Sequence, residues 1–326
     1  MKKNNSFQEI GQQLMQAETV LIYPHVNMDG DALGSAAALC KALRKWGKTC
    51  YILLEDNIAR NIQFLDKGYC TWDKDLVADV DVSVCLDCGD LSRFQQRKDK
   101  FLEGKVTICL DHHRTTEPFC QFNYVDPDAA ATGLLVFQLL KTMGAEPDAE
   151  IADAIFAAIT TDTGDFQYSN TTKECHEVMT ELFDWGVNVS AVSQEIYNRV
   201  RLERILLHGK ALDRMEVLCD GMVAMTVVTQ KMLEETGAGM DETEGLVEQL
   251  RSIDGVEIAI LVKEAEPEKL KASLRAKSWG NVADIAEKLG GGGHIKAAGC
   301  TINMGLEDGL ALLRQEVEQV LKEECK

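Results

Sequence analysis

A chain of 326 residues, 45% hydrophobic and 27% charged, is long enough for two domains with separate cores and does not have the composition of a disordered segment. Its formal net charge of −19 repels a long polyanion and forfeits the counterion release that drives binding along nucleic acid, which argues against a long-duplex binder. The longest apolar runs, 131–140 and 222–228, are too short to span a bilayer, and the opening MKKNNSFQEI leads into a polar helix instead of a signal segment, so the chain is expected in the cytoplasm with no membrane partner.

In chain order, the first half alternates strand-like and helix-like segments, the pattern of a parallel sheet wrapped by helices. Residues 20–24 (VLIYP), 49–54 (TCYILL), 82–87 (VSVCLD) and 106–111 (VTICLD) read as buried strands. Between the first two, residues 31–47 put Leu33, Ala36, Ala37, Cys40 and Leu43 on one helical stripe and stop at Gly47. Further helices are expected over 131–143, 148–160 and 173–185. Residues 189–216 are helical and charged, without the turn residues of a compact αβ repeat, and read as a helical linker. Beyond them, 221–229, 256–264 and 270–277 read as strands and 281–289 and 306–323 as helices, a smaller C-terminal α+β domain. The expected layout is an N-terminal α/β domain with a parallel sheet over 1–188, the linker over 189–216 and the second domain over 217–326.

The eleven cysteines are scattered singly through apolar stretches, which predicts reduced, mostly buried thiols. Cys85 and Cys88 form the one Cys-x-x-Cys. Strand alternation puts them on opposite faces, and no second pair completes a zinc site. Residues 271–300 carry Lys271, Arg275, Lys277, Lys288 and Lys296 against Asp284 and Glu287, five minus two, a basic island of +3 able to hold a small anion.

Four segments of the first half end in metal-ligand residue types, and in an open α/β sheet ligands bind at the carboxyl ends of strands. After VLIYP come His25, Asn27, Asp29 and Asp31 at alternate positions, which share one side wherever the backbone is extended, with Gly30 allowing a tight turn between the carboxylates. The next strands deliver Asp87 and then Asp111, His112 and His113; the fourth contribution is Asp162, at the end of an apolar helix. Each piece alone has an ordinary reading: DGD as a turn, a lone His as packing or surface, Asp162 as a cap. Their conjunction is harder to dismiss, because only His176 and His208 of the six histidines lie outside the candidate sites. Carboxylates mixed with imidazoles suit Mn²⁺ or a similar first-row ion better than an all-oxygen cage. In the second domain, Ser273 and Arg275 sit on an expected strand. Gly290 to Gly293 and His294 form an expected shaped loop whose backbone can approach a phosphate or base.

HVNMDGDALGS, LDCGD, LDHH and TDTGDF, followed by SLRAK and GGGGH, resemble the DHH phosphoesterases with a C-terminal DHH-associated domain. Nearly the whole chain is covered, in family order. The length resembles the stand-alone group of nano-RNases (oligoribonucleases) and 3′-phosphoadenosine-5′-phosphate phosphatases. The resemblance implies two divalent metal ions, one held by His25, Asp29 and Asp87 and the other by Asp31, Asp87, His112 and Asp162, with Asp87 bridging. It further implies that His113 contacts the phosphate, that Asp111 supports it, and that Ser273, Arg275, Gly291, Gly292, Gly293 and His294 bind the substrate. Met28 stands where proline is common, which removes no ligand. The implied activity is hydrolysis of short RNA, about 2–5 nucleotides, to nucleoside 5′-monophosphates, together with 3′-phosphoadenosine-5′-phosphate to AMP.

A cyclic or linear dinucleotide signalling phosphodiesterase uses the same motifs and stays open as an alternative. A manganese pyrophosphatase shares the first-domain pattern, but the GGGGH segment counts against it. A long-strand exonuclease would need nucleic-acid modules for which the chain has neither length nor charge. From another class, a non-catalytic nucleotide sensor is expected to have lost a metal ligand, whereas all are intact here. The sequence leaves open the preferred substrate, the cleavage polarity and whether the chain forms a homodimer.

Overall fold

The structure, a computed structural model, describes residues 4–324. The chain divides between Arg199 and Val200 into two compact units.

The first unit opens with α1 (Phe7–Gln16), capped by a reciprocal Ser6–Glu9 box. The polar helix expected there has an apolar face, with Ile10 and Leu14 fully buried. The sheet comprises β1 (Thr19–Pro24), β2 (Thr49–Leu53), β3 (Cys70–Thr71), β4 (Val82–Leu86), β5 (Val106–Asp111) and β6 (Phe122–Val125). Its order is β3-β2-β1-β4-β5-β6, every neighbouring pair parallel. The strands are continuously apolar because both faces are covered. Val20, Ile22, Val84, Leu86, Ile108 and Leu110 pack in the core under α2 (Gly30–Lys45), α4 (Thr132–Thr142) and α5 (Ala149–Asp162). Leu21, Tyr23, Cys85 and Cys109 pack on the other face with Phe94 and with Phe101 of α3 (Lys98–Leu102). Helices α6 (Lys173–Asp184) and α7 (Val189–Tyr197) complete the unit.

Helices α2 and α5 approach with almost nothing between them. A Cβ on Gly30 would lie 2.5 Å from the Thr161 side chain, and one on Gly34 would lie 2.5 Å from the Ala154 carbonyl oxygen. Glycine at these positions therefore sets the interhelical distance, and it does so with the start of α2 against the end of α5. Gly30 serves this close approach, not the tight turn expected of it.

The second unit holds α8 (Leu202–Leu212), β7 (Glu216–Leu218), β8 (Val223–Val228), α9 (Gln230–Thr236), α10 (Leu246–Ser252), β9 (Ile258–Glu266), β10 (Lys269–Ala276), α11 (Val282–Lys288), β11 (Gly292–His294), β12 (Ala297–Ile302) and α12 (Leu306–Glu324). The sheet runs β11-β12-β10-β9-β8-β7, with β8 and β9 parallel and the other pairs antiparallel. One face, through Ile258, Ile260, Leu270 and Leu274, packs with Val282 and Ile285 of α11 and Leu313 and Val317 of α12. On the other, α8, α9 and α10 cover Ala224, Val228, Ala259 and Leu261 of β8 and β9. Residues 189–216, read as one linker, are thus two helices with separate allegiances. Val192 and Ile196 join the first unit's core, while Leu207 and Ala211 join the second's.

The GGGGH segment is not a loop throughout. Gly292 to His294 form edge strand β11 against β12, and a Cβ on Gly293, whose φ is 148°, would lie 2.5 Å from the Ala297 carbonyl oxygen. Glycine there permits close backbone pairing that its poor strand propensity does not advertise.

Candidate metal centre

The strand order of the first sheet reverses between β1 and β4, and such a reversal opens a crevice beyond the carboxyl ends of the strands. His25 directly follows β1, Asp87 directly follows β4, and Asp111 is the last residue of β5. Asp87 has φ 58°, a left-handed conformation that Asp tolerates better than most residues. That residue ends the alternation of β4. Cys85 and Cys88, expected on opposite faces, lie in the same apolar cluster because the backbone reverses parity at Asp87. The ten described cysteines are all free, and Cys325 lies outside the described residues.

His25, Asn27, Asp29 and Asp31 do not gather through an extended backbone as expected. The strand stops at Pro24, Asn27 has φ 52°, and Asp29 caps α2 by accepting the Ala32 amide at 3.0 Å. Asp31 lies in the first helical turn and is fully buried. Its oxygens accept the Thr132 amide at 2.6 Å, the Gly133 amide at 2.8 Å and the Ser35 hydroxyl at 3.0 Å. The first turn of α4 thus aims its unpaired amides at this carboxylate. Asp162, the last residue of α5, reaches the same place because the end of α5 meets the start of α2.

The donor atoms converge. His25 Nε2 stands 3.5 Å from Asp87 Oδ2 and 3.8 Å from Asp29 Oδ1. His112 Nε2 stands 3.2 Å from Asp162 Oδ2, 3.4 Å from Asp87 Oδ1 and 3.7 Å from Asp31 Oδ2. Two of the donor groups compact enough for a metal ion are His25, Asp29, Asp87 and Asp31, His112, Asp162; a third is Asp87, His112, His113. The Nδ1 atoms of His25 and His112 face the carbonyl oxygens of Val26 at 2.7 Å and Ala129 at 3.1 Å, which leaves each Nε2 turned toward the carboxylates.

Four carboxylates in so small a space call for positive charge. Burial opposes charging of His25, yet hydrogen bonds to Asp29 and Asp87 lift it to about 10; burial likewise opposes His112, and Asp87 with Asp31 lifts it to about 10. Burial raises Asp31, assisted by Asp87 and Asp162, and burial raises Asp162 to about 7. For Asp87 burial acts in the same sense, but His112 and His25 outweigh it and hold the carboxyl well below its usual range. Imidazole and carboxylate donors with unmet negative charge fit divalent cations.

Asp111 has no vacancy for an ion. One oxygen takes the His112 amide at 2.8 Å, the His113 amide at 3.2 Å and His113 Nδ1 at 2.8 Å, and the other accepts the Thr116 hydroxyl. It therefore orients His113, whose half-exposed ring keeps Nε2 free of that bond. The hydrogen bond to Asp111 also raises the His113 imidazole.

In the second unit, register places Ser273 beside Gly299 and Gly299 beside Gly292, and places Arg275 beside Ala297 and Ala297 beside His294. Paired residues share a face, so Ser273, Arg275, Gly292 and His294 stand together on the side that carries α8 to α10, whose apolar packing is on β8 and β9 and whose reach to β10 includes Glu248 of α10. Arg275 is half-buried, donates to the Leu274 carbonyl and pairs loosely with Glu248 at 3.6 Å. The basic island disperses: Lys277 binds the Ile253 carbonyl, and Lys296 the carbonyls of Ser278 and Gly280.

Sequence reasoning missed Thr132, whose hydroxyl donates to Asp87 Oδ1 at 3.0 Å, and the Ser35 and Gly133 donors to Asp31. It also missed Arg97, 1% exposed, which pairs with Glu55 at 3.0 Å and ties down the Pro24 carbonyl at 2.9 Å, where the chain leaves β1 for His25. His208 and His176 lie elsewhere: His208 is buried against the Glu242 carbonyl at 3.0 Å, and His176 stacks on Phe166.

A six-stranded parallel sheet with carboxylates and imidazoles converging at its switch point defines an α/β protein with a candidate metal centre. Residues 19–159 match the DHH family, N-terminal domain, and residues 223–323 match the DHHA1 domain. A bifunctional oligoribonuclease and PAP phosphatase NrnA of Thermus thermophilus is 34% identical over 93% of this chain and 88% of its own length. The protein of that name from Bacillus subtilis is 26% identical over 87% of this chain and 90% of its own. The crystal structure of an exopolyphosphatase-related protein from Bacteroides fragilis superposes with a TM-score of 0.88 at 26% identity, covering 96% of this chain and 95% of the other. The chain belongs to the DHH family.

Proposed function

We propose that the chain is a phosphoester hydrolase acting on short oligoribonucleotides, about two to five nucleotides long, releasing nucleoside 5′-monophosphates, and on 3′-phosphoadenosine-5′-phosphate to give AMP. The observation that carries this reading is Asp87, a buried carboxylate between His25 and His112 at the switch point. Kinship with oligoribonucleases that are also PAP phosphatases supports the substrate class.

The site takes two divalent ions, Mn²⁺ by donor type, through His25, Asp29 and Asp87 on one side and Asp31, Asp87, His112 and Asp162 on the other. Such ions, when bound, withdraw charge from a phosphoryl group and make water nucleophilic at neutral pH. The chain's own groups position the rest. Asp111 fixes the His113 ring, so that Nε2 can donate to a phosphate oxygen; Ser273, Arg275, His294 and the amides of Gly291, Gly292 and Gly293 bind the nucleotide. The phosphoesterase domain is the first unit, through Arg199, and the substrate-binding domain is the second, from Val200. Long duplexes are poor partners for a chain of net charge −19. Among the described residues no helix is long and apolar enough to cross a membrane, and the buried free thiols agree with a cytoplasmic setting.

The test is a panel of initial rates with Mn²⁺: a dinucleotide, a cyclic dinucleotide, 3′-phosphoadenosine-5′-phosphate, pyrophosphate and end-labelled oligoribonucleotides of increasing length. The reading expects kcat/KM to peak at about two to five nucleotides and to fall for longer strands. A steady rise with length, or a preference for pyrophosphate or cyclic dinucleotide, overturns it.

A further inference from the structure

A cavity of about 490 Å³ opens in the second unit between α9 and the sheet, lined among others by Leu233, Glu234, Ala238, Met240, Lys263 and Lys271. Lys263 and Lys271 stand directly opposite each other on antiparallel strands β9 and β10, an arrangement that costs stability when two like charges meet. Among the described residues neither amine has a hydrogen bond or ion pair, although carboxylates outnumber cations across the chain by 53 to 34. Lys263 is also half-buried, and burial with Lys271 nearby depresses its amine. Glu244 acts on Lys263 only through space and Lys271 is exposed, so two facing amines remain open at one wall of a cavity, which is the chemistry of an anion site.

The opposite wall is different. Leu233, Ala238 and Met240 offer an apolar surface, with a thioether that packs well against a flat ring. Glu234 is exposed on α9 and adds an acceptor of the kind a ribose hydroxyl uses. An anion, a flat ring and a hydroxyl together describe a nucleotide.

Register connects this cavity to the residues assigned to substrate. Lys271, Ser273 and Arg275 occupy one face of β10, with Ser273 flanked by Gly299 on β12 and by the buried Leu261 on β9. Four residues of strand separate Lys271 from Arg275 by about 14 Å. That is about two nucleotide steps of a splayed single strand.

We propose that the cavity is a subsite for a downstream nucleotide of the oligoribonucleotide, with Lys263 and Lys271 holding a phosphate and the Leu233, Ala238 and Met240 wall holding a base. The proposal rests on the oligoribonucleotide reading above. It also deepens that reading, because it assigns the binding of nucleotides beyond the first two to a particular place in the fold.

The full chain tests it in two ways. With Mn²⁺ and di-, tri- and tetraribonucleotides, Lys263→Met should raise KM for the tetranucleotide about tenfold while leaving the dinucleotide within about twofold, and Lys263→Arg should restore most of the loss. Separately, a fluorescent tetraribonucleotide is titrated in chelator, without turnover. Lys263→Met should weaken binding and lower the log–log salt slope by about one relative to the parent chain. Equal losses for di- and tetranucleotide, or no loss for either, overturn the subsite. Lys263-dependent tetranucleotide binding by a chain that hydrolyses no RNA would support the subsite and overturn the functional reading instead.

Discussion

Around Asp31 the carboxylate is held from behind: two amides of α4 and the Ser35 hydroxyl fix its oxygens, Oδ2 still faces His112, and a helix packed at glycine distance brings Asp162 alongside. Around Arg275 the cross-strand neighbours are Ala297 and Ala259, with His294 one strand beyond and Ser273, Gly299 and Gly292 in the next row, and the arginine has only a loose partner at 3.6 Å. The first region is fixed before any ligand arrives, as charge-stabilising chemistry requires, since groups that must reorganise lose their advantage. The second is lined on its outer strands by small residues, and as the proposed substrate face it leaves room for a varied ligand. The contrast suggests that reaction and recognition are separable in this chain, and mutations can test the separation.

The sharpest break should come at Asp87. Its replacement by Ala is expected to lower turnover by about a thousandfold or more and to reduce metal content below that of any single change at His25, Asp29, Asp31, His112 or Asp162, because it alone faces both imidazoles. Elemental analysis beside a rate assay decides; two ions per chain with activity retained would sink the two-metal assignment.

Next come Arg275→Ala and His294→Ala. Each should cut kcat/KM on a dinucleotide about ten- to a hundredfold while metal content stays at the parent level. A small chromogenic phosphodiester should lose much less. Equal losses on both substrates would erase the distinction between the two regions.

Thr132→Val removes one hydrogen bond to Asp87 while conserving shape. About a tenfold loss in metal affinity or rate is expected, the size usual for a residue that orients a ligand. Isothermal titration with Mn²⁺ reads it directly, and an unchanged affinity and rate would show that the hydroxyl is incidental.

Cys88→Ala should do least. Buried behind Asp87 against the Tyr23 carbonyl, the thiol fills space, so a loss of about 1 kcal/mol in stability is expected with activity and metal content intact. A drop in metal content would instead mark the thiol as part of the centre.

Much of the first region is legible in the sequence because its residues are rare types at strand ends. Asp87, Asp111, His112 and His113 follow apolar runs that can hardly be anything but buried strands. Their supporters are not legible: Thr132 and Gly133 serve Asp31 only because α4 starts where α2 starts, a tertiary fact with no local signal. Arg97 looks like any charged residue in a polar stretch until the fold buries it beside Glu55. Two local rules misled. Alternation failed for Cys85 and Cys88 because one left-handed residue shifts parity, and the glycine run concealed a strand because glycine's propensity is set aside where backbones must touch. Lys263 escaped notice altogether, since its pairing with Lys271 exists only in the register of β9 and β10.

The left-handed backbone at Asp87 also constrains how this lineage could abandon catalysis. Only a few residue types occupy that region without strain, chiefly Gly, Asn and Asp, so a branched or bulky replacement would damage the fold along with the chemistry. A descendant that kept the architecture but stopped hydrolysing would have an easy exit through Asn, which preserves the shape and discards the charge. Silent cousins of this chain, if they arose by drift at this position, should therefore carry Asn or Gly there, a signature readable without any assay.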